Sequence, residues 1–182
     1  MPYSIYLVDI TNRIGSDDRR TEVKAVLQSY FDPIAKKANV KDGASVSFVT
    51  DNPQVKDNEL IAYYSSSGWH VVTEMPGAKV PADSEGGLTL WNGKVTGSDV
   101  VADADTDTRT IANLTFHELM HNKLGMGDEM HRLGGLAVSP VDSSMRPSEN
   151  NITVMSAALL NRRPQWTGGF QELRDRNKPI RP

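Results

Sequence analysis

Cysteine is absent from the 182 residues, and its absence removes disulfide scaffolds, thiol nucleophiles and thiolate metal sites together. Any metal the chain holds must sit on His, Asp or Glu. Long apolar runs are missing as well. A membrane-spanning helix needs about 20 predominantly apolar residues, and the runs here are only a few residues long, so no membrane partner is expected. There is no basic excess either: 20 Lys+Arg face 23 Asp+Glu, a formal charge of -3, which leaves nothing to neutralise a phosphate backbone and argues against nucleic acid as a partner. The first thirteen residues carry neither the basic segment nor the apolar core of a secretory signal. The expectation is a cytoplasmic protein, or one exported by a non-classical route.

A hydrophobic content of 38% with 24% charged residues fits a globular chain rather than a disordered or fibrous one. A chain this long can bury about two-thirds of its unfolded surface without a staple. No repeat or composition break divides it, so one domain over 1–182 is expected, with an irregular tail from about 165 to 182, and a monomer is assumed.

Ser4 to Ile10 is rich in β-branched and aromatic residues and reads as a buried strand. Val23, Val26, Leu27, Tyr30, Phe31 and Ile34 then recur at helical spacing behind Asp17 and Asp18, and Pro33 predicts a kink or an end near Asp32. Ala44 to Thr50, Leu60 to Ser65 and Trp69 to Glu74 read as strands, Pro76 to Gly87 as a loop. Gly87 to Val95 reads as a strand ending in an Asn-Gly turn. A helix is predicted over Thr108 to Leu124, stopped by Gly125 and Gly127, and a last one over Ile152 to Arg163. The fold class is α+β, a mixed sheet with an N-terminal, a central and a C-terminal helix.

The informative stretch is His117-Glu118-Leu119-Met120-His121 inside the central helix. Residues four apart share one helix face, so His117 and His121 can aim imidazoles at one ion, while Glu118 can reach a water at its open position. With 4 His in the chain, chance would place this pattern in about one chain in 300. The pattern is therefore read as ligand, general base, ligand for a catalytic Zn²⁺. A catalytic zinc needs a third protein ligand. His131 is favoured by imidazole chemistry, Asp128 is the alternative, and a distant carboxylate such as Glu149 is a third choice. A straight helix would carry His131 about 15 Å beyond His121, so either nearby candidate requires a bend at Gly125 or Gly127.

These residues resemble the metzincin metalloproteases, whose motif continues HExxHxxGxxH or, in the snapalysin type, HExxHxxGxxD. Here Leu124 stands at the glycine position and Gly127 at the third-ligand position, and a one-residue shift, Gly125 to Asp128, restores the GxxD spacing. Downstream, Ser144-Met145-Arg146-Pro147 before a final helix resembles the methionine turn of the matrix metalloprotease branch, with Met145 as the candidate. Pro147 stands where some metzincins carry a tyrosine, and Met155 sits at helical spacing as core. The resemblance implies a twisted mixed sheet over a cleft, with peptide or protein substrate paired along an edge strand, here Gly87 to Asn92. It implies a zinc-dependent metallopeptidase with Glu118 as the base. The alternative is a zinc-binding interaction or effector module with no or highly restricted proteolysis, its site closed by four protein ligands such as Asp128 together with His131.

Other features are weaker. Asp103, Asp105 and Asp107 alternate like the start of a calcium loop, but Thr108 and Leu114 stand where its Gly and Glu belong, so helix-start acids are the better account. Asn113, one turn before His117, is a guess for a hydrogen-bond partner of the histidines. His70 reads as structural. Arg162, Arg163, Arg174, Arg176, Lys178 and Arg181 read as solvated surface.

Overall fold

Alternating apolar residues in Tyr3–Val8 (β1) bury Tyr3, Ile5 and Leu7 on one face, and β1 lies between two parallel neighbours, Ala44–Val49 (β2) and Leu60–Ser65 (β3). The structure, a computed structural model, describes residues 1–50, 53–65 and 86–167. Thr96–Val101 (β5) pairs parallel to β3, and Gly87–Trp91 (β4) closes the edge antiparallel to β5, giving the order β2-β1-β3-β5-β4. Among the described residues the architecture is a five-stranded mixed sheet with helices, α+β at the coarse level. Every residue of β3 is buried, as expected of a strand covered on both faces.

Asp17–Lys37 (α1) is capped by Ser16, whose side chain accepts from Arg19 N, with Asp17 and Asp18 in the first turn and Lys36 and Lys37 in the last. These charges complement the helix dipole. The helix runs through Pro33 instead of ending near Asp32. Ile34 and Ala35 beyond the proline are fully buried, and Ser156 Oγ donates to Ile34 O at 3.1 Å, so packing offsets the lost backbone bond.

Thr108–Leu124 (α2) matches its predicted bounds and is N-capped by Asp107, which accepts from Thr110 N. Asp103 takes the local turn bond from Asp105 N, so both outer acids act as turn and cap groups. Phe116 of α2 meets the rings of Tyr30 and Phe31 edge-on at 5.5 and 5.6 Å, locking α2 to α1 in the core. The last helix, Glu149–Ala158 (α3), starts three residues before the expected Ile152 and ends five before Arg163. Its start is set by a capping box between Ser148 and Asn151.

Two further differences from the sequence reading concern strands. β5 was not expected; its Thr-Gly-Ser-Asp start lacks the apolar alternation of a strand, yet Ser98 and Asp99 are fully buried. The predicted Asn92-Gly93 turn is present, and it joins β4 to β5 as a hairpin. Residues 164–166, expected to be irregular, pair with the start of β5 through Thr96 N to Pro164 O and Trp166 N to Thr96 O. The predicted strand Trp69 to Glu74, His70, nearly all of the 76–87 loop, and the basic residues from Arg174 onward lie outside the described residues. No helix among the described residues is long and apolar enough to cross a membrane.

Lys123, on the side of α2 away from Glu118, is 1% exposed, and its ammonium donates to Asn58 O and Asn161 O at 2.8 Å each. It ties α2 to the loops before β3 and after α3. Lys123→Ala removes both loop ties and leaves a cavity in place of a fully buried side chain, and is expected to lower stability by about 2–4 kcal/mol, read from the urea unfolding midpoint. A change below about 0.5 kcal/mol would contradict this role.

Candidate metal centre

α2 ends where its sequence says it should, and the ending brings the third histidine back. Gly125 is the C-cap in the left-handed region (φ 64°), a conformation that favours glycine, and its N–H bonds to His121 O. The chain reverses through Gly127 and enters a 3-10 turn over Asp128–Leu133, which carries His131 toward α2. His131 Nε2 lies 3.3 Å from His121 Nε2, and His121 Nε2 lies 3.1 Å from His117 Nε2. Ligand atoms of the three histidines all fall within 4.8 Å of one another, the arrangement of a metal-binding group. Two imidazole nitrogens on one tetrahedral zinc stand about 3.3–3.4 Å apart, given bonds of about 2.0–2.1 Å. The observed separations match that span.

The tautomers follow from the second nitrogen of each ring. His117 Nδ1 lies 2.8 Å from Leu136 O, and His121 Nδ1 lies 2.7 Å from Met126 O. A carbonyl only accepts, so each Nδ1 donates, and each neutral ring then presents an Nε2 lone pair. Burial pushes the His117 pKa down to about 4 against the support of the Leu136 bond, and burial likewise lowers that of His121. At neutral pH the two Nε2 lone pairs therefore face each other at 3.1 Å. A cation between them turns this repulsion into coordination. The donor set fits a metal ion.

Asp128, the alternative ligand, lines the same cavity but is not one of the three clustered residues. Glu149 is remote from the cluster, exposed at the start of α3 and paired with Lys37 at 2.8 Å. Asn113 is not the hydrogen-bond partner of His117 or His121, whose Nδ1 atoms bond to Leu136 O and Met126 O. It accepts from Tyr30 OH at 2.7 Å and donates to Asp142 O and Met145 O, holding the loop that contains Met145 against α2. Met145 itself packs, partly buried, on the hydrophobic core.

Glu118 is 5% exposed beside the cluster. Its Oε2 accepts from Thr89 Oγ1 of β4 at 2.7 Å. Burial raises its pKa to about 7 in spite of that bond. β4 passes so close that a Cβ on Gly87 would stand 2.5 Å from Glu118 Cγ; only glycine leaves room there. Behind Thr89 a buried polar chain continues through Ser98 to Asn122, whose amide pairs reciprocally with Gln165 at 2.9 Å. A cavity of about 540 Å³ opens over the cluster, walled by Gly86–Thr89 and Trp91 on one side and Ser139–Val141 on another. β4, the expected edge strand, forms one wall, so backbone groups of a sheet edge lie beside the three histidines.

Thr89, Gly87 and Asn151 escaped the sequence reading. Asn151 is fully buried; its Oδ1 accepts from Leu136 N at 2.9 Å and its Nδ2 donates to Gly134 O. It thereby fixes the loop whose Leu136 carbonyl orients His117. The Ser148-x-x-Asn151 cap spacing was the available signal, but a cap does not reveal what its second amide face will hold.

Comparison of the chain with protein-family models, curated proteins and solved structures finds no match.

Two expectations follow. Removing an indirect support of a metal ligand weakens binding about 10–100-fold, so Asn151→Ala is expected to lower zinc affinity by at least about tenfold, measured by competition with a chromogenic chelator; unchanged affinity would contradict the support role. The second concerns the metal-free protein. His117 has a lowered folded pKa, so its contribution is lost as pH falls from 6.5 towards about 4, an effect of about 3 kcal/mol. Glu118 has a raised folded pKa, so its contribution is lost as pH rises from 4.5 towards about 7, the opposite slope. The two slopes oppose each other between pH 4.5 and 6.5, and Glu118→Gln is expected to expose a steady acid-side loss of stability in that window, read by denaturant unfolding at stepped pH. Identical profiles for wild type and variant would refute this.

Proposed function

We propose that the chain is a zinc-dependent metallopeptidase that hydrolyses peptide bonds, with His117, His121 and His131 as ligands and Glu118 as general base. The observation that carries the reading is a three-histidine cluster with a buried carboxylate, open on one side to a cavity along a sheet edge. The resemblance of HELMH and the following residues to the metzincins supports it and assigns Met145 to the methionine turn.

A zinc ion held by the three imidazoles supplies polarisation of a substrate carbonyl and acidification of a water. The remaining steps belong to the chain. Thr89 holds Glu118 Oε2 at 2.7 Å, which leaves Oε1 to take a proton. Glu118 removes that proton as the water oxygen bonds to the carbonyl carbon, then delivers it to the amide nitrogen as the C–N bond breaks. Burial suits the carboxylate to both transfers, because a pKa near 7 makes it a competent base and acid at neutral pH. Among the described residues β4 is the edge strand, and an extended peptide paired along it would favour peptide over other amide substrates. A zinc-held interaction module would need a fourth protein ligand, and Asp128 on the cavity wall is the residue that would supply it.

Glu118→Gln keeps the size and the Thr89 contact but cannot take a proton. With zinc supplied, it is expected to retain about one metal per chain and lose casein hydrolysis by about 10²–10⁴-fold, whereas undiminished cleavage would remove Glu118 from the mechanism.

A further inference from the structure

A second hollow, about 470 Å³, lies at the far end of β4, between the Asn92–Val95 turn and the segment Arg162–Pro164. Its lining is basic and aromatic: Trp91, Lys94, Arg162 and Arg163. Arg162 is already paired, to Asp57 at 2.7 Å. Lys94 and Arg163 are not, among the described residues, and Arg163 Nε is buried without a hydrogen-bond partner. Sequence alone classed these arginines as solvated surface, yet Arg163 is built into the fold. Its backbone N–H bonds to Asp57 O, and its carbonyl accepts from Gln165 Nε2. Its guanidinium lies flush on Gly125, where a Cβ would stand 2.3 Å from Nη2. The negative end of the α2 dipole favours a cation there. Arg163 thus brings a packed cation to the wall of the hollow, and Lys94 adds a second charge on the exposed turn, with no acidic side chain among the described residues of the lining.

Trp91 forms part of the wall of both this hollow and the cavity over the histidines, and the residue is 47% exposed. One extended ligand can therefore run from one to the other along β4. Gly87 marks the Glu118 end of that path and Trp91 the other, four residues or about 13 Å apart at about 3.3 Å per residue. A hollow lined by Lys94 and Arg163, with no Asp or Glu among the described residues of its lining, favours a carboxylate, which accepts through two oxygens.

We propose that this hollow is a specificity subsite for an acidic group of the peptide, an Asp or Glu side chain or a terminal carboxylate, about four residues along from the cleaved bond. The inference rests on the peptidase reading for the word cleaved, and on Lys94, Arg163 and Trp91 for the subsite itself.

The test uses the zinc-loaded chain and two synthetic peptides that differ only in Glu or Gln at the position four residues from the cut, on the side identified by mass spectrometry of a cleaved peptide mixture. The Glu peptide is expected to be cleaved with about tenfold higher kcat/KM, since charge-assisted hydrogen bonds exceed neutral ones by about that factor. Lys94→Glu, on the exposed turn, is expected to reverse the preference, and Arg163→Gln to bring the ratio towards one. Equal cleavage of both peptides by wild type, or an unchanged ratio in Lys94→Glu, would overturn the subsite. If no peptide in the mixture is cut, the peptidase reading fails, and fluorescence-anisotropy binding of labelled acidic and neutral peptides decides the subsite separately. Tighter binding of the acidic peptide that Lys94→Glu abolishes supports it, and equal binding overturns it.

Discussion

Two backbone carbonyls decide what the histidines can do. By accepting from His117 Nδ1 and His121 Nδ1, Leu136 O and Met126 O fix both tautomers and turn both Nε2 lone pairs to one point. Histidines on one helix face are common and need not bind anything. These two cannot be satisfied by each other, because in the neutral rings neither Nε2 carries a proton to share across the 3.1 Å between them. The carbonyls come from the two segments that the chain must reverse to build, the exit of α2 at Gly125 and the loop clamped by Asn151. The three-histidine cluster is thus a consequence of how α2 ends and how α3 begins.

The same economy governs the acid beside it. Glu118 follows His117 in sequence and so projects from a different part of the helix surface, against β4, where a glycine and a threonine receive it. The sheet edge therefore has two effects at once: it buries and orients the carboxylate, and it keeps its own backbone beside the cavity. Burial raises the proton affinity of Glu118 while lowering that of His117, which separates the roles of two adjacent residues by environment alone.

Much of this was legible from sequence, and the rest was hidden for physical reasons. HELMH marked α2 and two of the three clustered histidines, since a 3.6-residue period fixes which side chains share a face. The bend that admits His131 was required by distance, and the two glycines marked its place, but spacing could not choose between His131 and Asp128, which stand three residues apart in one turn. β5 was obscured because its first buried side chains are Thr, Ser and Asp, with Ser98 and Asp99 held by tertiary hydrogen bonds, and only Val100 packs in the apolar core. Pro33 misled because local rules price a proline in an isolated helix, whereas Ile34 and Ala35 are held by the core. Asn113 was placed correctly at the level of the helix and assigned the wrong partner, since sequence shows a polar residue near a site but not which loop returns to meet it. Arg163 looked like solvated charge because its packing over Gly125 depends on where α2 ends.

The central claim is that three imidazoles, and not two with Asp128, hold one metal ion. Elemental analysis of zinc per chain, on wild type, His131→Ala and Asp128→Ala after equilibration with limiting zinc, tests it most directly. The account predicts one zinc in wild type and in Asp128→Ala, with most of it lost in His131→Ala. Full occupancy in His131→Ala alongside loss in Asp128→Ala, or no zinc in the wild type, would contradict it.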